Sequence, residues 1–223
     1  MEQFLIIAGF ASQGYEQARA YLLALNKVPE SAVMPLARAV FEGAITAQWL
    51  ALVSDGWKAI AQEHVRQQQA LAGDLLATRI PEYDAIAHRL EASVQHHPER
   101  LTNFHTRQGR YFSERCKDLT TKDAYIQFRM LSTEAHPTVA VSGKWIHGPL
   151  ESGGPARMVK PGLGTDGYWP QLIVTSLTLL AGAQTALDGN EERRQFLERI
   201  AQETGAMTRL ELSQAYYDRM SNP

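Results

Sequence analysis

A broad apolar stripe along residues 32–53 constrains the fold of this chain more than any other feature. Apolar side chains recur there three or four residues apart, the spacing that places them on one face of an α-helix. The stripe consists of Ala37, Val40, Phe41, Ala44, Ile45, Trp49 and Leu52. Because so wide an apolar face has to be buried against other elements, the pattern predicts a long helix of a packed helical domain.

Helical periodicity continues over most of the remaining chain. The predicted helices are 2–26 (with a possible break at Gly14), 57–78, 81–95, 125–136, 166–187 and 191–219. Between two of them, residues 138–165 hold six glycines and three prolines, which predicts an irregular insertion with a short strand at 139–145. No repeat or linker composition divides the chain. We therefore predict one all-α domain over 1–223, a bundle of about six to eight helices.

Composition narrows the classes of function. The formal charge of −2 leaves no chain-wide attraction for nucleic acid, so any RNA contact requires a local basic patch. The single cysteine, Cys116, precludes a disulfide within the chain and suits a reducing compartment. No apolar run is long enough to span a bilayer. The expectation is a cytoplasmic protein with no membrane association and no cofactor.

Histidines 96, 97 and 105 do not form a recognisable metal site. His96 and His97 are adjacent, so on a helix they point about 100° apart. No acidic or cysteine partner stands at a ligand spacing, and the sequence therefore predicts no metal site.

The segment 99–117 is rich in basic residues and carries two adjacent aromatic side chains. Arg107, Arg110 and Arg115 are candidates for binding nucleic-acid phosphates, with Tyr111 and Phe112 between them. The alternative is a solvated face that the two aromatic residues anchor.

Four polar side chains follow one another along the predicted helix 125–136. Tyr125, Arg129, Ser132 and His136 are spaced by four, three and four residues, so they form one stripe. Pro137 ends the helix, and the partial negative charge at a helix C-terminus favours a protonated His136 imidazole. The stripe indicates either a reactive site or a polar network that fixes helix packing.

Arg38 and Glu42 interrupt the apolar stripe of residues 32–53 at an i, i+4 spacing. Their neighbours are apolar, which predicts a partly buried pair. Because an unsatisfied buried polar group costs about 1–3 kcal/mol, we expect this pair to pack against Tyr125, Ser132 and His136. The alternative is an exposed pair that stabilises its helix by ~0.3–0.5 kcal/mol.

The two polar patterns together, Arg38-x3-Glu42 and Tyr125-x6-Ser132-x3-His136 followed by proline, resemble a bacterial helical family near the HEPN superfamily (higher-eukaryote and prokaryote nucleotide-binding domains). The resemblance covers residues 30–190. It implies a helical bundle that forms homodimers. Many such proteins are metal-independent ribonucleases of toxin–antitoxin or phage-defence systems, with an arginine and a histidine near a helix end, here Arg129 and His136.

The resemblance implies a role for each polar residue. His136 would act as a general acid or base, Arg129 would stabilise phosphoryl charge, and Ser132 and Tyr125 would orient the phosphate. Arg38 and Glu42 would support them, and a dimer would bring two His136 side chains together. The implied partners are RNA or a nucleotide, a second copy, and a partner protein or antitoxin. The alternative is a non-catalytic helical module that binds a nucleotide, nucleic acid or protein.

Overall fold

The computed structural model describes residues 1–95, 103–121, 123–148, 156–163 and 167–221. Within these ranges the chain forms eleven helices and one two-stranded sheet, which confirms the all-α class. The helices are α1 (Glu2–Ala24), α2 (Glu30–Leu52), α3 (Gly56–Ala77), α4 (Pro81–Gln95), α5 (Thr106–Arg110), α6 (Phe112–Asp118), α7 (Ala124–Ala135), α8 (Val139–Gly143), α9 (Tyr168–Asp188), α10 (Glu191–Thr204) and α11 (Gln214–Ser221).

Helix α2 lies at the centre of the bundle, against α1, α7 and α9. Its apolar stripe forms the core: Val40, Ala44 and Trp49 have no exposed surface. Helix α1 runs through Gly14 without a break. The Leu180 side chain of α9 packs against the Gly14 backbone so closely that a methyl group there would overlap it.

Helices α3 and α4 form a hairpin beside this core. In α4 Ala87 is fully buried, whereas Tyr83 and Ile86 remain substantially exposed. The following α5 and α6 are separated at Tyr111, whose backbone is extended. None of the described helices is long and apolar enough to cross a membrane.

Two predicted elements are wrong. Residues 139–145 do not form a strand: they contain α8, and the strands β1 (Ile146–His147) and β2 (Arg157–Met158) pair antiparallel further on. The predicted final helix 191–219 is two helices, because Gly205 takes a left-handed conformation with φ of 69° and ends α10. The segment between them is not helical: Leu210 N–H donates to Gln48 Oε1 (2.9 Å), and Ser213 N–H donates to the Asp118 carbonyl (2.8 Å).

Candidate functional site

The contact between α2 and α7 brings Arg38 to His136. Arg38 Nη1 donates a hydrogen bond to His136 Nε2 over 2.8 Å. Because a guanidinium has no acceptor, Nε2 is the acceptor in this contact. The pairing of the two helices through these residues agrees with the sequence prediction.

Arg38 is held in place by contacts on three sides. Its guanidinium lies over the Phe128 ring at 4.7 Å from the centroid, and its Nη2 is 3.9 Å from Glu42 Oε2. The side chain exposes 26% of its surface, as expected for a partly buried pair. Its Nε is buried without a hydrogen-bond partner among the described residues. The guanidinium is therefore oriented before any ligand arrives, with His136 on the solvent side.

The other three residues of the predicted stripe separate from one another. Ser132 Oγ donates to the Phe128 carbonyl of its own helix at 2.7 Å, which satisfies its proton locally. Tyr125 stacks on Phe128, with ring centroids 6.2 Å apart, and is itself exposed. Arg129 is exposed, and within the described residues its guanidinium makes no hydrogen bond or ion pair. Arg129 and His136 both face solvent, and Arg38 is less exposed than either.

Arg115 is not on the surface where the sequence placed it. The side chain is 8% exposed, and its Nη1 donates to the carbonyls of Gln108 (2.6 Å) and Gly109 (3.0 Å). Burial lowers the pKa of this guanidinium and the Glu42 carboxylate opposes the shift; arginine nevertheless stays charged in proteins. Its burial takes Arg115 off the exposed basic face that the sequence predicted, and its Nη1 is committed to the two carbonyl groups.

Arg107 and Arg110 are exposed, as a nucleic-acid contact requires. Arg107 Nη2 lies 3.5 Å from Glu114 Oε1, and the Arg110 guanidinium lies 5.2 Å from the Tyr111 ring centroid. Both remain candidates for binding phosphate, and neither is joined by a described hydrogen bond to Arg38 or His136.

Glu42 stands between the partly buried Arg38 and the buried Arg115. Its Oε2 faces Arg38 Nη2 at 3.9 Å, and its Oε1 faces Arg115 Nη2 at 4.0 Å. One carboxylate thus stands between two guanidinium groups, and the row Arg115, Glu42, Arg38, His136 runs from the interior to solvent. Since both separations exceed hydrogen-bonding distance, the carboxylate keeps acceptor capacity.

Tyr125 lines a separate cleft of about 730 Å³ between α6, the start of α7 and the start of α11. Cys116 and Lys117 line it as well. Burial raises the pKa of the Cys116 thiol to about 12. The thiol is therefore protonated at neutral pH and is a packing group in this cleft.

Among the described residues no three histidine, cysteine, aspartate or glutamate side chains cluster as metal ligands. His105 is buried beside Trp49 and Tyr216. His96 and His97, the other two histidines of the sequence argument, lie outside the described residues.

Sequence reasoning missed Phe128 and the position of Arg115. Phe128 precedes Ser132 by one helical turn and lies between Tyr125 and Arg129 in the sequence, which is the signal that could have placed it under Arg38. The carbonyls that hold Arg115 belong to the end of α5, and side-chain periodicity carries no information about free carbonyl groups at a helix end. Comparison with protein-family models, curated proteins and solved structures found no match to this chain.

Proposed function

We propose that the surface formed by Arg38, Arg129 and His136 binds an RNA phosphodiester and cleaves it without a metal ion. The observation that carries the proposal is the hydrogen bond from Arg38 to a solvent-facing His136 Nε2 (2.8 Å), with the unpaired Arg129 two turns earlier on the same helix face. The resemblance to HEPN ribonucleases implies a role for the same three residues, which supports the proposal.

The chemistry begins with exchange of hydrogen-bond partners. A phosphoryl oxygen is a stronger acceptor for a guanidinium than a neutral imidazole is, so a bound phosphate draws Arg38 away from Nε2. The freed Nε2 takes the proton of the 2′-hydroxyl as O2′ attacks phosphorus. The bond from phosphorus to the 5′-oxygen breaks, and that oxygen takes a proton from an acid. The products are a 2′,3′-cyclic phosphate and a 5′-hydroxyl end.

Arg38 and Arg129 stabilise the charge that develops on the phosphoryl oxygens. Arg38 is oriented in advance by Phe128 and Glu42, so little reorganisation accompanies the reaction. In a two-fold dimer, the protonated His136 of one copy would serve as the acid for the leaving group.

The test is cleavage of a labelled single-stranded RNA in the presence of EDTA. We expect His136→Ala and Arg129→Ala to lose about 10²–10⁴-fold in rate, the usual contribution of acid–base catalysis. Two variants are matched controls: His88→Ala, an exposed helical histidine on α4, and Arg199→Ala, an exposed helical arginine on α10. Cleavage that is equally fast in wild type and His136→Ala, or that stops with EDTA, would contradict the proposal.

A second candidate is a non-catalytic binding module in which the same residues hold α2 against α7. The contacts of Arg38 with Phe128, Glu42 and His136 favour it. In that case wild type does not cut RNA, and His136→Ala melts several degrees lower because Arg38 loses a partner. One pair of measurements, cleavage and melting of His136→Ala, separates the two candidates.

A further inference from the structure

A cavity of about 370 Å³ opens between α1, α2, α3 and the α5–α6 turn, on the other side of Glu42 from the Arg38–His136 contact. Its size lies within the range of small-molecule sites. Unlike most such sites it is rich in hydrogen-bonding side chains. They include Gln13, Gln17, Glu42, Glu63, Gln67 and Arg115.

The charged groups that line the cavity differ in their remaining hydrogen-bonding capacity. Glu63 is already satisfied, since Arg66 donates to both of its oxygens (2.7 and 2.6 Å) and Gln67 donates to one (3.0 Å). Glu42 and Arg115 also line the cavity, but their closest atoms are 4.0 Å apart, too far for a hydrogen bond. The Glu42 carboxylate can therefore still accept hydrogen bonds, and the neighbouring Arg115 guanidinium can still donate them.

The Glu42–Arg115 pair determines which chemical class of ligand the cavity can bind. A free anion would be repelled by Glu42, and a cation by Arg115, whose charge is buried. A neutral planar ligand with an acceptor next to two donors matches both groups. The Watson–Crick edge of guanine has this order: O6 accepts, whereas N1–H and the 2-amino group donate.

We propose that the cavity binds a guanine base, with N1–H and the 2-amino group donating to the Glu42 carboxylate and O6 accepting from Arg115. Phe10 supplies an apolar wall, and Gln13 and Gln17 offer amide groups to the remaining polar atoms of the nucleoside. Glu42 also faces Arg38, so the base site adjoins the proposed phosphate site. Base binding itself does not depend on RNA cleavage.

Calorimetric titration of the full chain with guanosine, inosine, adenosine and cytidine tests the assignment. We expect guanosine to bind best and inosine, which lacks the 2-amino group, to bind about 10- to 100-fold more weakly, the usual loss for one good base contact. Glu42→Gln should lose at least tenfold in guanosine affinity and most of the preference over inosine. Wild type that binds no guanosine at millimolar concentration, or all four nucleosides equally, overturns the proposal.

A variant that fills the cavity tests whether guanosine binds there. Gly43 lines the cavity on α2, and a Cβ added there would meet only Phe10, at 4.0 Å, so Gly43→Leu should fill the space and keep the fold. Its matched control is Gly73→Leu, on an exposed face of α3 where nothing lies within 4 Å. We expect guanosine binding to vanish in the first variant and persist in the second, with melting temperatures at least equal to wild type.

The outcomes separate this proposal from the proposed nuclease activity. Guanosine binding that survives in a folded Gly43→Leu protein overturns the assigned cavity. A protein that binds guanosine through this cavity and never cuts RNA upholds the base site and contradicts only the nuclease. A protein that cuts RNA through His136 without binding guanosine contradicts only the base site.

Discussion

His105 is the residue whose ionisation should matter most for stability. It is 4% exposed, lies edge-on to Trp49, stacks on Tyr216, and its Nδ1 accepts from Arg219 Nη1 at 3.3 Å. Burial lowers its pKa below the usual 6.5, the positive charge of Arg219 acts in the same direction, and Asp118 and Asp55 oppose the shift. The folded protein therefore holds this histidine neutral.

We expect the protein to lose stability as the pH falls below about 6.5. Below that value the unfolded chain binds a proton at His105 before the folded protein does, so the free energy of unfolding decreases until the pH passes the lowered pKa. Thermal melting from pH 7.5 to 5.0 measures the effect. His105→Gln should flatten this dependence, whereas His88→Gln, at an exposed position, should leave it unchanged. Equal slopes in all three proteins would contradict the prediction.

Gly182 on α9 should not tolerate a methyl group. A Cβ there would overlap the carbonyl of Thr208 in the non-helical segment before α11. Gly182→Ala should destabilise the protein by about 1–3 kcal/mol, although alanine is the better helix former. Gly73→Ala is the matched control, because open space surrounds it, and it should stabilise by up to ~1 kcal/mol. Urea unfolding of both variants measures the difference, and a stabilised Gly182→Ala protein would contradict the close approach.

At the scale of elements, α11 is attached to the bundle by the stacking of Tyr216 on His105 and by a charged contact of Arg219. Arg219 Nη2 donates to Asp118 Oδ2 at 2.6 Å, and the same oxygen accepts from Trp49 Nε1 at 3.0 Å in the core. Asp118 is 3% exposed, so its charge depends on these donors. The attachment therefore links the last helix to the central one.

Arg219→Ala should release α11 before the rest of the molecule unfolds. Hydrogen exchange should accelerate in Gln214–Ser221 and stay slow in α2. The control is Arg209→Ala, which removes a different arginine and leaves Asp118 paired with Arg219. Uniform acceleration across all helices would instead mean that the ion pair stabilises the whole fold.

Some of the helices could be predicted from the sequence and others could not. Periodicity placed α4 at 81–95 and α2 within two residues of its start, because both present long amphipathic patterns. It missed α5, α6 and α8, which have seven residues or fewer and depend on tertiary contacts, and it joined α11 to α10 in one long helix. At the site, the Arg38–His136 contact followed from two polar interruptions that had to satisfy each other. The burial of Arg115 did not, since its partners are backbone carbonyls.

For the whole molecule, we predict a homodimer through the outer face of α7. Ile126 and Met130 are 60% and 45% exposed one turn apart, and Val139 of the next helix is 88% exposed. A dimer on this face would also supply the second His136 of the proposed reaction. Light scattering at micromolar concentration should give twice the monomer mass of 24.9 kDa.

Ile126→Asp should reduce that mass to the monomer value, because it places a charge in the apolar interface. Leu71→Asp, at a position 50% exposed on α3, is the control and should leave the dimer intact. A wild-type monomer at these concentrations would contradict the prediction.

The position of Gln48 has a consequence for synthesis on the ribosome. Its side-chain amide donates to the carbonyl of Leu179, 131 residues later in the chain. At about 5–20 residues per second, the ribosome takes roughly 7–26 s to make the intervening segment. During that time the apolar face of α2 lacks α9, one of the helices that cover it, and a nascent chain of this kind is a substrate for chaperones that hold exposed apolar surface.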